Sequence, residues 1–296
     1  MEGSPLVLLD EPELGLEPYR QRRLAAEIRD AIGEHGQAFL TTHSPAVLGA
    51  LETGEVSRVV PGTDPVGLDG THFGWIQKEA PDALLSRLPI LVEGITEGGL
   101  LAPLLNDFAE RDELPDIDAL GIRLLARGGQ PRVLEEAEQF LQAGLACGLF
   151  VDNETTHIGR RAALARNPRC AFATWDGVRN IEEAVAAWLS WDGLPRVVEL
   201  AAKLRSRPET DLLQQVGGCI GKPGTATLED LRNQFGENPV RVAVAAAMQA
   251  KHNPWFKTLQ RGEALGELLL KLGMPRPIEE VLHAFWHRVR QESGWV

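Results

Sequence analysis

The stretch LPILVEGITEGGLL, residues 88–101, reads as a strand, a tight reversal and the start of a helix. Its opening is a short continuous apolar run, as expected of a strand covered on both faces of a parallel sheet; we place that strand at Ile90–Val92. Glu93 ends the run, Gly94 allows the reversal, and a helix is predicted over Thr96–Glu110. Glu93 then stands at the carboxyl end of a strand and Glu97 in the first turn of the following helix, where both carboxylates can face one crevice. That edge of an open α/β sheet is where ligands bind.

Toward the C-terminus the pattern repeats. Strands are predicted at Ile122–Leu125, Gly148–Val151 and Cys170–Thr174, with a helix over Pro131–Leu145. Strands alternating with helices of this length imply a compact parallel sheet. The stretch CGLFVDNET, residues 147–155, ends its strand with Asp152 and Glu154, two residues apart and so pointing to one side of an extended chain. Four carboxylates thus reach one sheet edge. From Ile181 onward helical patterns dominate, broken at Gly193-Leu194-Pro195, Gly221-Lys222-Pro223-Gly224 and Met274-Pro275-Arg276-Pro277.

Toward the N-terminus, Pro5–Leu9 is a second apolar run of the buried-strand type, ended by Asp10. A helix follows from about Pro18 to Gly33, with Leu24, Ile28 and Ile32 on one face, and then a strand at Ala38–Leu40 that runs into Thr41-Thr42-His43-Ser44-Pro45. These elements form one right-handed crossover unit. Beyond the helical stretch Pro45–Leu51, Val56–Val60 and His72–Ile76 read as short strands around the turn-rich residues 61–70.

Composition narrows the class. Hydrophobic residues make up 44% and charged residues 24% of 296, a balance that excludes a disordered chain and leaves room for two or three domains. No apolar run spans a bilayer and no secretory leader pattern opens the sequence, so a cytoplasmic location is expected. Cys147, Cys170 and Cys219 are too scattered for a disulfide framework or a CxxC metal site and read as buried free thiols. His157, His252, His283 and His287 form no metal spacing with a carboxylate; His283 and His287 are read on a partly buried helix face. A net charge of -12 argues against a protein that coats nucleic acid without specificity, but residues 251–296, with 7 basic and 5 acidic side chains, leave room for a local basic face.

Two resemblances add to this reading. LVLLDEPELGLEP, residues 6–18, resembles the Walker B strand and D-loop region of ABC-type ATPases, and AFLTTHSP, residues 38–45, is similar to their switch-histidine strand. The resemblance implies that Asp10 helps hold the Mg²⁺ of ATP, that Glu11 orients the attacking water and that His43 senses the γ-phosphate. The plainer alternative is a strand-to-helix turn with Pro12 at the helix start. No GxxxxGK[ST] loop occurs. ATP is therefore expected to act only in a longer parent protein, and the chain as given is expected not to hydrolyse it.

The carboxylates resemble those of Toprim domains, with Glu93 and Asp152-Asn153-Glu154 in place of the usual glutamate and DxD pair; the second acid has a longer arm. The order of motifs is similar to that of OLD (overcoming lysogenization defect) nucleases. That resemblance implies a further acid at Glu182, with Glu183 competing, and a late lysine at Lys257, with Lys251 in reserve. The implied organisation is α/β: residues 1–62 the end of an ABC-type ATPase sheet, 63–87 a connector, 88–182 a Rossmann-like Toprim domain and 183–296 a helical region. The implied activity is DNA nicking or cleavage in a phage-defence setting. Mg²⁺ or Mn²⁺, two ions, would be held by Glu93, Glu97, Asp152, Glu154 and Glu182, since oxygen-only ligands favour these metals, with Glu93, Asp152 and Lys257 catalytic. A homodimer or higher oligomer and a helicase partner belong to the same expectation.

Simpler roles stay open for single residues. Glu97 can favour a helix start, Asp152 can cap a helix, Glu154 can be a solvated loop acid, and Gly128-Gly129 can be a close-approach loop for DNA or a plain turn. A different class, an SMC-like DNA-binding ATPase with a non-catalytic Toprim platform, is the main competitor. A topoisomerase-like strand passer would need a nucleophilic tyrosine near the carboxylates, and the single tyrosine, Tyr19, lies in the ATPase segment.

Overall fold

The computed structural model describes residues 6–52, 54–59, 64–222, 224 and 226–295. It begins with β1 (Leu6–Asp10), α1 (Pro18–Ile32), β2 (Gln37–Thr41) and α2 (Pro45–Leu48). The two strands run parallel, Leu6 opposite Gln37 and Asp10 opposite Thr41. Pro5 lies outside the described residues. The expectation of a buried strand fails here, because Leu6, Leu8 and Phe39 stand more than half exposed. A sheet of two strands has helices over one face only, so alternate side chains of each strand are left in solvent.

The connector holds β3 (Ser57–Arg58), β4 (Val66–Gly67), α3 (Gly70–Glu79) and α4 (Pro81–Leu85). β3 covers only part of the predicted Val56–Val60 strand, whose last residue lies outside the described ones, and pairs antiparallel with β4. His72–Ile76 is helical, a correction to its reading as a strand. Phe73, Ile76 and Gln77 are buried at helical spacing, and the Gln77 amide donates to the carbonyls of Leu48 at 2.9 Å and Leu51 at 2.8 Å. That bond closes the end of α2, which alternation along the sequence could not reveal.

The main sheet contains β5 (Leu88–Val92), β6 (Ile122–Ala126), β7 (Cys147–Val151) and β8 (Cys170–Thr174), joined by α5 (Ile95–Arg111), α6 (Gln130–Gln142) and α7 (Ile158–Arg166). Its order is β6-β5-β7-β8, all parallel. Every residue of β5 and β7 is buried, as their continuous apolar runs require. Leu88, Ile90, Val92 and Phe150 face a cluster shared with α5, while Leu91, Leu149 and Val151 face one shared with α6 and α3.

Seven helices follow: α8 (Ile181–Trp188), α9 (Gly193–Arg205), α10 (Glu209–Cys219), α11 (Leu228–Phe235), α12 (Glu237–Met248), α13 (Leu259–Leu272) and α14 (Arg276–Ser293). The first of the two clusters continues from Leu88 to Val289, so these helices close over one face of the sheet. Three glycines make a seam between α5 and α13. A Cβ at Gly99 would lie 2.2 Å from the Leu259 carbonyl oxygen, at Gly262 2.5 Å from that of Thr96, and at Gly266 2.8 Å from that of Leu100.

Two side-chain expectations are corrected. Cys147 and Cys170 are buried, but Cys219 is exposed at the end of α10. His283 and His287 are exposed, since α14 buries Ile278, Leu282, Phe285, Trp286 and Val289 at three- and four-residue spacing on its other side. Among the described residues no helix is long and apolar enough to cross a membrane.

Candidate functional site

Glu93 leaves β5 and turns toward β7. Its Oε1 accepts the N–H of Asp152 and the side-chain amide of Gln130, each at 2.8 Å. Its carbonyl accepts the N–H groups of Gly128 at 2.7 Å and Gly129 at 3.0 Å. Those glycines have φ of 82° and 121°, so the loop wraps the Glu93 backbone in a conformation other residues resist. Gly94 is needed for a different reason. Its φ of -130° suits any residue, but a Cβ there would lie 2.4 Å from Glu97 Oε2, so its role is space for the Glu97 carboxylate rather than the reversal itself.

Gln130 and Arg161 were not anticipated from the sequence. Gln130, buried at the start of α6, donates also to the Asp152 carbonyl at 2.8 Å and so ties the ends of β5 and β7 together. Arg161 of α7 holds the other side of the same loop, donating to the Asp152 carbonyl at 2.9 Å, to Asn153 Oδ1 at 3.2 Å and to the Glu154 carbonyl. Buried polar groups must find partners, but burial is not visible in spacing.

The acids form one electrostatic cluster. The Asp152 carboxyl is pushed up to about 9, first by burial and then by Glu97, Glu93, Glu182 and Glu154, and its Oδ1 is buried without a partner. Glu182, in the first turn of α8, is pushed up to about 7 by burial and Glu97, with Lys257 pulling the other way. Glu93 is raised by burial, against which its bonds from Gln130 and Asp152 act. Close-set carboxylates at one edge cannot all ionise freely.

Glu97, Asp152, Asn180, Glu182, Lys251 and Lys257 line one cleft of about 280 Å³. Glu183 instead accepts the Arg179 N–H at 2.8 Å, so Glu182 is the acid of that pair on the cleft. Both lysines reach it. Glu154 does not line it and accepts the Thr156 hydroxyl at 3.0 Å. Among the described residues no three acid, histidine or cysteine side chains stand close enough to hold one ion. The four expected carboxylates therefore share a cluster without forming a ready-made ligand shell, because Glu93 is committed to Gln130 and the Asp152 amide. A larger open depression of about 550 Å³ beside Lys222 and Gln234 includes a single acid, Asp230, which already caps α11 through Thr227.

The lysine side of the cleft is carried by residues 249–257, which are pinned from three directions. The Thr96 hydroxyl donates to the Phe256 carbonyl at 3.1 Å, the Trp255 indole to Gln215 at 2.9 Å, and the Trp255 N–H to the Met248 carbonyl at 3.1 Å.

The raised carboxyls set a pH dependence. Folded Asp152 and Glu182 keep protons that an unfolded chain has lost above about pH 4. The folded state is then the more protonated one up to about pH 9, so stability falls as pH rises through that window. In EDTA the melting temperature should fall between pH 5 and pH 9, and Asp152→Asn should flatten the slope. Equal slopes in the two proteins would contradict the burial of this acid.

At the N-terminal sheet, Asp10 accepts the Thr41 hydroxyl, Glu11 has φ 43° with its N–H donating to the Thr41 carbonyl at 3.2 Å, and His43 Nε2 lies 3.4 Å from Glu11 Oε1. The three expected ATP-site residues therefore sit together at the carboxyl ends of β1 and β2. Glu13, not singled out from the sequence, is buried and accepts the Thr42 hydroxyl and the His43 N–H, tying the two turns.

A family model described as "AAA domain, putative AbiEii toxin, Type IV TA system" matches residues 1–49, which include both of these turns. No curated protein matches the chain. The N-terminal segment is thus similar to an AAA-type ATPase domain.

Proposed function

We propose that the cleft is the centre of a Toprim-type nuclease, hydrolysing DNA phosphodiesters with a divalent metal as the resemblance to OLD nucleases implies. The observation that carries this reading is the meeting of Glu97, Asp152, Glu182 and Lys257, from four separate segments, in one cleft at the carboxyl edge of a parallel sheet. The orphaned Asp152 Oδ1 and an all-oxygen donor set are of the kind that Mg²⁺ or Mn²⁺ takes, and since no three acids among the described residues stand close enough to hold one ion, the side chains would have to draw together around it. Asp152, Glu97 and Glu182 would hold the metal from the cleft, with Glu93 and Glu154 at its edge. Two such ions would supply an activated water and stabilisation of the leaving oxygen. Glu93 and Gln130 fix the Asp152 backbone, and Lys257 offers positive charge to the phosphate as its negative charge builds.

Supercoiled plasmid incubated with Mg²⁺, Mn²⁺ or EDTA tests the reading. Nicking with metal that disappears in Glu93→Ala and Asp152→Ala supports it. Lys257→Ala should lower the cleavage rate by about 10²–10³-fold while changing DNA affinity little, as for loss of one electrostatic stabiliser. An unchanged rate constant under saturating DNA would remove Lys257 from the chemistry.

A second reading has its own support. No ready ligand trio exists among the described residues, and Glu93 Oε1 already has two protein donors, as a non-catalytic SMC-like platform would allow. Intact plasmid under every metal supports that reading. In both readings Asp10, Glu11 and His43 serve ATP, and the uncovered face of Leu6, Leu8 and Phe39 supports a covering element there, as in a dimer or larger assembly; the helicase partner rests on the resemblance alone.

A further inference from the structure

We infer that Arg127 is a positioning residue for the acid cluster, and that the connector helix α3 holds it in place. For the reaction this rests on the DNA-cleaving reading above. Arg127 stands immediately before the glycine loop whose two N–H groups hold the Glu93 carbonyl. A Cβ at Gly128 or Gly129 would meet nothing within 4 Å, so apart from those two bonds the loop is placed by its ends. One end is Gln130, which opens α6 and whose amide reaches Glu93 Oε1 and the Asp152 carbonyl. The other is Arg127, whose N–H donates to the Val92 carbonyl at 3.0 Å, one residue before Glu93.

The Arg127 side chain braces this loop from both sides. It is 8% exposed, and its Nε and Nη2 donate to Glu136 Oε2 at 2.9 Å and Oε1 at 3.2 Å. Glu136 lies on α6, so the fork joins the chain before the loop to the helix after it. Its Nη1 donates to Glu79 Oε2 at 2.9 Å, and the guanidinium lies 3.7 Å from the centre of the Trp75 ring. Glu79 and Trp75 both belong to α3, which fixes the brace to the connector. Only a planar fork can meet two carboxylates and a ring face at once, so lysine is no substitute. A buried ion pair adds little net stability over an apolar replacement; what this one sets is the place of a loop that has no side chains of its own. Residues of the connector therefore act on Glu93 and Asp152, although none of them lines the cleft.

Arg127→Ala would leave Glu136 buried without its cation, so the test removes the supports instead. Trp75→Ala takes away the ring, Glu79→Ala an exposed carboxylate, and Trp75→Phe keeps a ring face. In EDTA, hydrogen exchange at the Gly128 and Gly129 amides should speed up about tenfold in the two alanine variants, with the amides of β7 unchanged. In cleavage assays the same variants should need about tenfold more Mg²⁺ for half-maximal rate, as for a lost outer partner of metal ligands, with the KM for DNA within about twofold of the parent. Trp75→Phe should restore both. Parent exchange rates at the two glycines in both alanine variants overturn the inference, as does a lowered melting temperature with an unchanged Mg²⁺ requirement. If no metal gives cleavage but the glycine amides still loosen, the nuclease reading fails and the brace stands. If cleavage occurs and both alanine variants match the parent, only the brace is wrong.

Discussion

Asp152→Asn and Glu93→Gln should each lower metal-dependent cleavage by at least about 10³-fold while leaving the fold intact. Both substitutions keep shape and remove charge. At Asp152 the change strips a ligand from the one acid lining the cleft that has, among the described residues, a buried, partnerless oxygen, and it relieves repulsion from Glu97, Glu93 and Glu182. The melting temperature of Asp152→Asn in EDTA should therefore rise at pH 9 even as activity vanishes. At Glu93 the amide oxygen of glutamine can still accept from Gln130 and the Asp152 N–H, so the strand ends stay tied and only the electrostatics change. Added Mg²⁺ should raise the melting temperature of the parent chain and not of either variant, because a ligand of the folded state alone stabilises it. Full activity in Glu93→Gln, or loss of cleavage on mutating Asp10 alone, would show that the acidic cleft is not where the chemistry happens.

Gly262→Val and Gly99→Val should be among the most damaging substitutions to the fold that touch no charged group. Each added Cβ meets backbone, the Thr96 carbonyl at 2.5 Å or the Leu259 carbonyl at 2.2 Å, and no side chain can move aside. α5 and α13 must separate, at a cost of about 3 kcal/mol, which corresponds to a drop in melting temperature of about 6–12 °C for a chain of this size. The damage reaches the cleft, since α5 opens with Glu97 and α13 starts just after Lys257. A displacement of about 1 Å there can cost on the order of 10²-fold in rate. Gly218→Ala is the control: nothing lies within 4 Å of its Cβ, so it should be neutral or stabilise α10 by about 0.5–1 kcal/mol. Equal melting temperatures for Gly262→Val and Gly218→Ala would mean that the seam is not tight.

The parts of this molecule that periodicity controls were readable in its sequence. The runs before Glu93 and Asp152 are apolar on both faces, and both strands are buried at every position. That places two acids at the sheet edge without any structure. Phe73, Trp75 and Ile76 misled because a short apolar stretch fits a strand or a helix equally well, and only burial of Gln77 against the end of α2 decides it. Nothing in the spacing announced Gln130 or Arg161, whose partners are backbone carbonyls of a distant loop. The choice between Glu182 and Glu183 needed the N-terminal turn of α8, where Glu183 is used by the Arg179 N–H.

The bond from Thr96 to Phe256 joins residues 160 positions apart. On the ribosome the strands β5 to β8 can pair soon after they emerge, but Lys251 and Lys257 are made only after α8 to α12. Contacts of such long range form late, and domains assemble in the order they are made. A growing polypeptide therefore carries Glu97, Asp152 and Glu182 before the lysines that complete the cleft have been made.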